Sequence, residues 1–129
     1  MLLALTVALV VPTLGGAAET SRATVDIEML EFAFRPRTIH LKVGIPVRLT
    51  LRNRGQIAHQ LESGYLHRVN VRILNDALHV EAPGLDFARL NPGGSAPLEF
   101  LPRRKGRFAF ACTIEAHREA GMTGIMEVR

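Results

Sequence analysis

The stretch Gly106-Arg-Phe-Ala-Phe-Ala-Cys112 decides the fold, because apolar residues alternate strictly along it. This alternation places Phe108, Phe110 and Cys112 on one face, as in a half-buried β-strand. A second segment of the same kind, Thr123–Val128, closes the chain. The residues between the two segments therefore predict a loop that joins two strands.

Working outward from this pair, short alternating segments and turn residues recur through much of the chain. Residues 24–34 alternate, and further strands are predicted at residues 39–43, 47–51 and 98–101. Glycine, proline or asparagine follows each of them closely and predicts a turn. Short strands separated by turns over about a hundred residues are typical of a Greek-key β-sandwich. The predicted fold class is all-β.

The middle of the chain is less regular. Residues 64–86 predict an irregular insertion that holds a strand or a short helix, and residues 85–91 have room for one helical turn. The basic run at residues 103–106 predicts a solvated hairpin tip. The sequence contains no internal repeat and no low-complexity segment, so one domain is expected.

Three potential metal ligands lie along the loop between the last two strands. These are Cys112, His117 and Met122, and His59 supplies a second imidazole just after the turn that follows strand 47–51. Two imidazoles, one thiolate and a weak thioether are the donors of a blue-copper site. Zinc prefers thiolate, imidazole or carboxylate, so the methionine argues against it. Each residue alone has an ordinary structural explanation, and only the joint pattern predicts a site for one copper ion.

Four motifs resemble the cupredoxin family, which includes plastocyanin-like, azurin-like and sulfocyanin-like proteins, and together they extend over nearly all of residues 19–129. They are Phe32-Ala-Phe34-Arg-Pro36, Asn53-Arg-Gly55-Gln-Ile-Ala-His59, Gly106-Arg-Phe108-Ala-Phe110-Ala-Cys112 and His117-Arg-Glu-Ala-Gly121-Met122-Thr-Gly124. The resemblance implies a Greek-key sandwich with copper at one end. It also implies electron carriage or copper handling, with electrons passing through the exposed edge of His117.

The sequence departs from the family pattern at two places near the predicted ligands. Relatives commonly have Pro-Gly or a similar turn before the second histidine, whereas this chain has Glu115-Ala116. Gln60 follows the first histidine, where Asn or Glu is frequent, and we expect it to hydrogen-bond across to the ligand loop near Thr113. The remaining histidines match no motif and are predicted to lie on the surface: His40, His67 and His79.

The composition is that of a globular protein, with 129 residues, 47% hydrophobic and 22% charged. The single cysteine excludes an internal disulfide. A net charge of +4 favours an acidic redox partner, a copper donor or acceptor protein, or an anionic membrane surface, rather than nucleic acid. A monomer is expected.

The N-terminus predicts export. Residues 2–14 are almost wholly apolar, and Gly15-Gly16-Ala17-Ala18 follows as a small-residue cleavage site. The apolar run is too short to span a bilayer core. Residues 1–18 are therefore predicted to be a signal peptide and residues 19–129 the copper-binding domain, in the periplasm or otherwise outside the cytoplasm.

Two functions fit this sequence. The first is an electron carrier that cycles between Cu(I) and Cu(II), and the alternative is a copper-binding protein for copper tolerance or delivery without redox cycling. An enzyme is not expected, because copper enzymes with a similar loop use additional copper held partly by His-X-His pairs. This chain has no such pair and one cysteine.

Overall fold

The computed structural model of the protein describes residues 21–129, and the predicted signal peptide lies outside them. Eleven strands and one short 3₁₀ turn make up the described part. The strands are β1 (Ala23–Leu30), β2 (Ala33–Arg35), β3 (Thr38–Leu41), β4 (Val47–Asn53), β5 (His59–Ser63), β6 (Val71–Asn75), β7 (Leu78–Ala82), β8 (Ala88–Leu90), β9 (Ser95–Phe100), β10 (Gly106–Ala111) and β11 (Thr123–Val128). The 3₁₀ turn is Leu66–Arg68.

The strands form two sheets that pack face to face, which confirms the predicted all-β sandwich. The six-stranded sheet has the order β2-β1-β4-β9-β6-β7, and the five-stranded sheet has the order β3-β11-β10-β5-β8. Most strands are antiparallel to their neighbours, but β1 runs parallel to β4 and β3 runs parallel to β11. These two parallel pairings join the first strands to segments later in the chain.

The core lies between the sheets and follows from the alternation of each strand. In β4 every second residue from Val47 to Asn53 is buried, and in β11 the buried residues are Gly124, Met126 and Val128. Phe110 of β10 meets Phe34 edge to face, with ring centroids 5.0 Å apart. The Phe110 ring also lies against Gly124, where a Cβ atom would collide with it.

The middle of the chain is partly as predicted. Residues 64–86 hold the 3₁₀ turn and a β6–β7 hairpin, but β6 pairs with β9 and so extends the six-stranded sheet. The helical turn expected at residues 85–91 is wrong. Strand β8 lies there instead, because its alternate residues Ala88 and Leu90 pack on the core while β8 pairs with β5.

The basic run at residues 103–106 is exposed, as expected, but it is not a hairpin tip. It connects β9 of one sheet to β10 of the other. This crossing carries the chain into the strand that ends at the ligand loop. The ends of β4 and β10 and the starts of β5 and β11 consequently lie at one end of the sandwich, which we call the loop end.

Candidate metal centre

Cys112 directly follows β10, and its position is set by the pairing of β10 with β5. Its side chain is fully buried, and its Sγ accepts a hydrogen bond from the backbone N–H of Gln60 at 3.4 Å. The same sulfur lies 3.3 Å from Nδ1 of His117. A buried thiol this close to an imidazole nitrogen and a backbone donor is arranged as a metal ligand rather than as filler.

His59 begins β5 and is fully buried. The turn before it is held by Asn53, whose side-chain amide donates to the carbonyls of Ile57 at 2.8 Å and Leu90 at 2.9 Å. The Asn53 Oδ1 accepts the N–H of Gly55 at 2.9 Å. The sequence predicted a turn at Asn53-Arg54-Gly55. The role of Asn53 in positioning His59, however, depends on its hydrogen bond to the carbonyl of Leu90 in β8, which is distant in the chain.

Both ring nitrogens of His59 are buried without a hydrogen-bond partner among the described residues. Burial lowers the pKa of His59, and the nearby His117 lowers it further, while Glu31 opposes both effects. The neutral imidazole, which is the metal-binding form, is therefore favoured. Buried ring nitrogens without partners are costly for the protein alone, and a bound metal ion would satisfy one of the two.

The ligand loop is closed by backbone hydrogen bonds between its own ligand positions. The N–H of Cys112 donates to the carbonyl of Met122 at 3.0 Å, and the N–H of Met122 donates to the carbonyl of His117 at 3.0 Å. The Met122 side chain is fully buried, and His117 is 7% exposed. The loop thus returns the backbone of Met122 to that of Cys112.

Three of the four predicted ligands converge. The ligand atoms of His59, Cys112 and His117 all lie within 4.8 Å of one another. No other group of three His, Cys, Asp or Glu side chains in residues 21–129 has such a geometry. Met122 supplies the remaining buried sulfur from the same loop.

Gln60 links the loop to β5, as the sequence predicted. Its side-chain amide donates to Oγ1 of Thr113, and Thr113 in turn donates to Glu62 at 2.7 Å. Nε of Arg89 in β8 donates to the side-chain oxygen Oε1 of Gln60 at 2.8 Å. This network fastens the start of the ligand loop to two neighbouring strands.

The turn between β1 and β2 contacts both histidines, and sequence reasoning assigned it no role at the site. Glu31 Oε1 lies 3.7 Å from Nε2 of His59 and accepts the backbone N–H of Gln56, which lowers the pKa of Glu31. Phe32 meets the His117 ring edge to face at 5.2 Å and adopts the left-handed φ of +58°. A bulky residue in that conformation is strained, and such strain is frequent at functional sites.

The three remaining histidines lie away from the centre, as predicted. His40, His67 and His79 are all exposed. His40 pairs with Glu127 at 3.1 Å, His67 contacts the carbonyl of Asp86, and His79 contacts Glu81.

The fold and the donor set together define a class of protein. A two-sheet sandwich with one Cys and two His converging at one end, and a buried Met in the same loop, presents the donor types of a copper site. The family model described as "Cupredoxin-like domain" matches residues 1–123. The chain belongs to the cupredoxin family.

Known proteins agree with this assignment. The copper-resistant cuproprotein CopI of Rubrivivax gelatinosus is 35% identical over 121 residues, which cover 89% of this chain and 71% of that protein. Reduced auracyanin from Roseiflexus castenholzii superposes with a TM-score of 0.61 at 20% identity, over 84% of this chain and 98% of auracyanin. A multicopper oxidase from Campylobacter jejuni superposes with a TM-score of 0.63 at 16% identity, over 94% of this chain and 33% of the oxidase.

The two structural comparisons establish the fold, and the family membership with the CopI likeness establishes that the chain is a copper-binding protein. None of the helical segments within residues 21–129 has the length and apolar character that a membrane crossing requires.

Proposed function

We propose that the protein is an exported, monomeric blue-copper protein that carries electrons, with one copper ion held by His59, Cys112, His117 and Met122. The observation that carries this proposal is the convergence of His59, Cys112 and His117 within 4.8 Å in the protein interior. Copper bound there supplies a one-electron Cu(I)/Cu(II) couple.

The protein holds the four donor side chains in fixed positions and excludes water from them. Gln60 donates to Cys112, and the backbone hydrogen bonds of Met122 tie it to Cys112 and His117. Three of the four side chains are fully buried, so water has little access to them. Donors that move little between two oxidation states favour fast electron transfer, because little reorganisation accompanies it.

His117 provides the route to the surface. It is the one proposed ligand with measurable exposure, at 7%. The ring of Phe32, which is 43% exposed, packs against it edge to face. We infer that electrons enter and leave through this edge and that the net charge of +4 steers an acidic redox protein towards the molecule.

The experiment is to add Cu(II) to protein beginning at Glu19 and record the visible spectrum of wild type and Cys112→Ser. We expect an intense thiolate-to-copper band that is absent in Cys112→Ser and bleached reversibly by a reductant.

Met122→Leu and Met126→Leu form a matched pair, since both methionines are fully buried. Only Met122→Leu is expected to shift the band and the reduction potential. Equal spectra for the pair would remove Met122 from the ligand set, and no copper binding at all would refute the proposal.

Copper tolerance or delivery is a second candidate. This function is supported by the likeness to CopI, a copper-resistant cuproprotein that is 35% identical to this chain. The two functions differ in what happens to the ion. An electron carrier retains its copper through repeated oxidation and reduction, whereas a delivery protein releases it to an acceptor. Incubation of the reduced, loaded protein with a Cu(I) chelator over repeated redox cycles therefore separates them.

We further propose that the chain is not an enzyme by itself. The sequence has no His-X-His pair and a single cysteine, so it lacks ligands for the additional copper of oxidases. The absence of oxygen consumption by the loaded protein with Cu(I) or phenolic substrates is the expected result. Export is tested by N-terminal sequencing of the protein recovered outside the cytoplasm, which should begin at Glu19.

A further inference from the structure

A second concave site lies at the end of the sandwich remote from the ligand loop. Val47, at the start of β4, lines it, whereas β4 ends at Asn53 beside the metal centre. The cavity has a volume of about 420 Å³. Its charged lining consists of one carboxylate and five guanidinium groups: Glu99, Arg22, Arg68, Arg72, Arg103 and Arg104. We call this the basic pocket.

Glu99 cannot neutralise this lining. Its side chain is 7% exposed and accepts from Arg22 at 2.8 Å and Arg72 at 3.0 Å, and Arg48 lies 3.4 Å away on the neighbouring strand. One carboxylate is thus shared by three guanidinium groups. A positive excess remains in the cavity even where an acidic partner is present.

The other three arginines have no acidic partner within residues 21–129. Neither Arg68, Arg103 nor Arg104 forms an ion pair there, and all three are exposed. Like charges gathered around a concavity repel one another, and an anion bound among them relieves that repulsion.

The backbone that carries these arginines is held in place. The hydroxyl of the buried Tyr65 accepts the N–H of Arg103 at 3.2 Å and lies 3.4 Å from the carbonyl of Arg104. The carbonyl of Tyr65 accepts the N–H of Arg68 at 3.1 Å. One buried side chain and its own backbone therefore position all three unpaired arginines around the same cavity.

We propose that the basic pocket binds a phosphoryl group, either free phosphate or the phosphate of an anionic lipid headgroup. Guanidinium forks match the oxygens of phosphate in pairs, and several guanidinium groups lining one cavity suit an ion with more than one negative charge. The concave shape suits a compact anion rather than an extended chain. This inference does not depend on the function of the copper site.

The test titrates the reduced, copper-loaded protein with inorganic phosphate at low ionic strength, followed by calorimetry and by NMR of the arginine side-chain N–H groups. A parallel experiment measures binding to phosphatidylcholine vesicles with and without phosphatidylglycerol. The variant Arg68→Gln/Arg103→Gln/Arg104→Gln removes the unpaired arginines. The control Arg35→Gln/Arg37→Gln/Lys105→Gln removes the same charge from exposed residues that do not line the pocket.

We expect the pocket variant to weaken binding at least about tenfold and the control to change it little, because screened long-range attraction is similar in both. Glu99→Gln should tighten binding, since it frees Arg22 and Arg72.

Saturable phosphate binding without a vesicle preference assigns free phosphate, and a phosphatidylglycerol preference lost in the pocket variant assigns the lipid. No saturable binding to either probe, or equal losses in the pocket variant and the control, would overturn the proposal. A far-UV circular dichroism spectrum equal to that of wild type confirms that each variant is folded.

Discussion

Glu31 and Phe32 form the turn between β1 and β2, and each contacts a different histidine of the copper centre. Glu31 lies 3.7 Å from Nε2 of His59, which leaves Nδ1 of that ring for the metal. Gly55 permits this approach, because a Cβ there would collide with both the Glu31 carboxylate and the His59 ring. A carboxylate behind a ligating histidine orients the ring and increases its basicity.

We predict that the single substitution Glu31→Gln raises the reduction potential of the copper site. The carboxylate stabilises the more positive Cu(II) state, and its removal should shift the balance by about 1 kcal/mol, roughly 40 mV for one electron. Voltammetry of the loaded protein measures the shift. Glu28→Gln, which removes a half-exposed carboxylate paired with Arg54, serves as the control and should leave the potential nearly unchanged. Identical potentials for Glu31→Gln and wild type would show that Glu31 has no electrostatic role at the site.

The ligand loop contains an alanine in a left-handed conformation. Ala116 adopts a φ of +64°, a left-handed conformation that costs residues with a side chain about 1–2 kcal/mol. Ala116 directly precedes His117, at the place where the resemblance to cupredoxins leads us to expect the glycine of a Pro-Gly turn. The geometry of the turn is thus kept although the residue that best tolerates it is absent.

We predict that Ala116→Gly raises the free energy of unfolding by about 0.5–1 kcal/mol, because relief of the left-handed strain exceeds the entropy cost of glycine. Urea unfolding measures the change. Ala120→Gly is a matched control, since Ala120 is exposed in the same loop and is not in a left-handed conformation. It should lower the stability slightly. Destabilisation by both substitutions would contradict the strain at Ala116.

The pairing of β10 with β11 depends on a glycine opposite Phe110. Gly124 is directly across from Phe110, and the aromatic ring occupies the space that a side chain at position 124 would need. We predict that Gly124→Ala lowers the free energy of unfolding by about 2–3 kcal/mol through overpacking. Gly64→Ala, where a Cβ would meet no atom within 4 Å, should be nearly neutral in the same urea experiment. A neutral Gly124→Ala would mean that Phe110 moves aside at little cost.

Across the whole molecule, charge is distributed unevenly. The arginines around Glu99 lie at the end of the sandwich remote from the copper centre. A second cluster surrounds Glu127 of β11. This carboxylate contacts His40 of β3 at 3.1 Å, Arg107 of β10 at 2.7 Å and Arg129 at 3.2 Å. Partial burial raises the pKa of Glu127, but the hydrogen bond from Arg129 and the charges of Arg107 and His40 outweigh it. The net effect holds this pKa below its ordinary value of 4.5.

The pH dependence of the protein's stability follows from the lowered pKa of Glu127. A carboxylate with a lowered pKa in the folded state stabilises the protein above the unfolded value of 4.5, and the contribution is lost as the pH falls through the folded pKa. We predict that Glu127→Gln is less stable than wild type near neutral pH and that the difference disappears in acid. Urea unfolding of the copper-free protein across this range measures it, with the exposed Glu119→Gln as control. A difference that persists unchanged at low pH would exclude an ionic origin.

Much of the fold could be predicted from the sequence, as could the donor types of the candidate copper site, because the relevant signals are local. Alternation along residues 106–112 and 123–128 predicts two strands, and the spacing of Cys112, His117 and Met122 places three donors in one loop. Blue-copper chemistry requires those donor types in any fold, so the class of metal follows from the residues themselves.

Other features depend on pairings between segments far apart in the chain, and only the tertiary structure decided them. The sequence predicts a helical turn where β8 lies, because the short run Ala88–Leu90 is ambiguous until it pairs with β5. The site roles of Glu31 and Phe32 require β1 to lie beside β4, and the basic pocket requires residues 68, 72 and 103 to converge. Local sequence determined which elements and donors this protein has. Long-range packing decided what surrounds them, because it is set by the summed burial of the whole core rather than by any one segment.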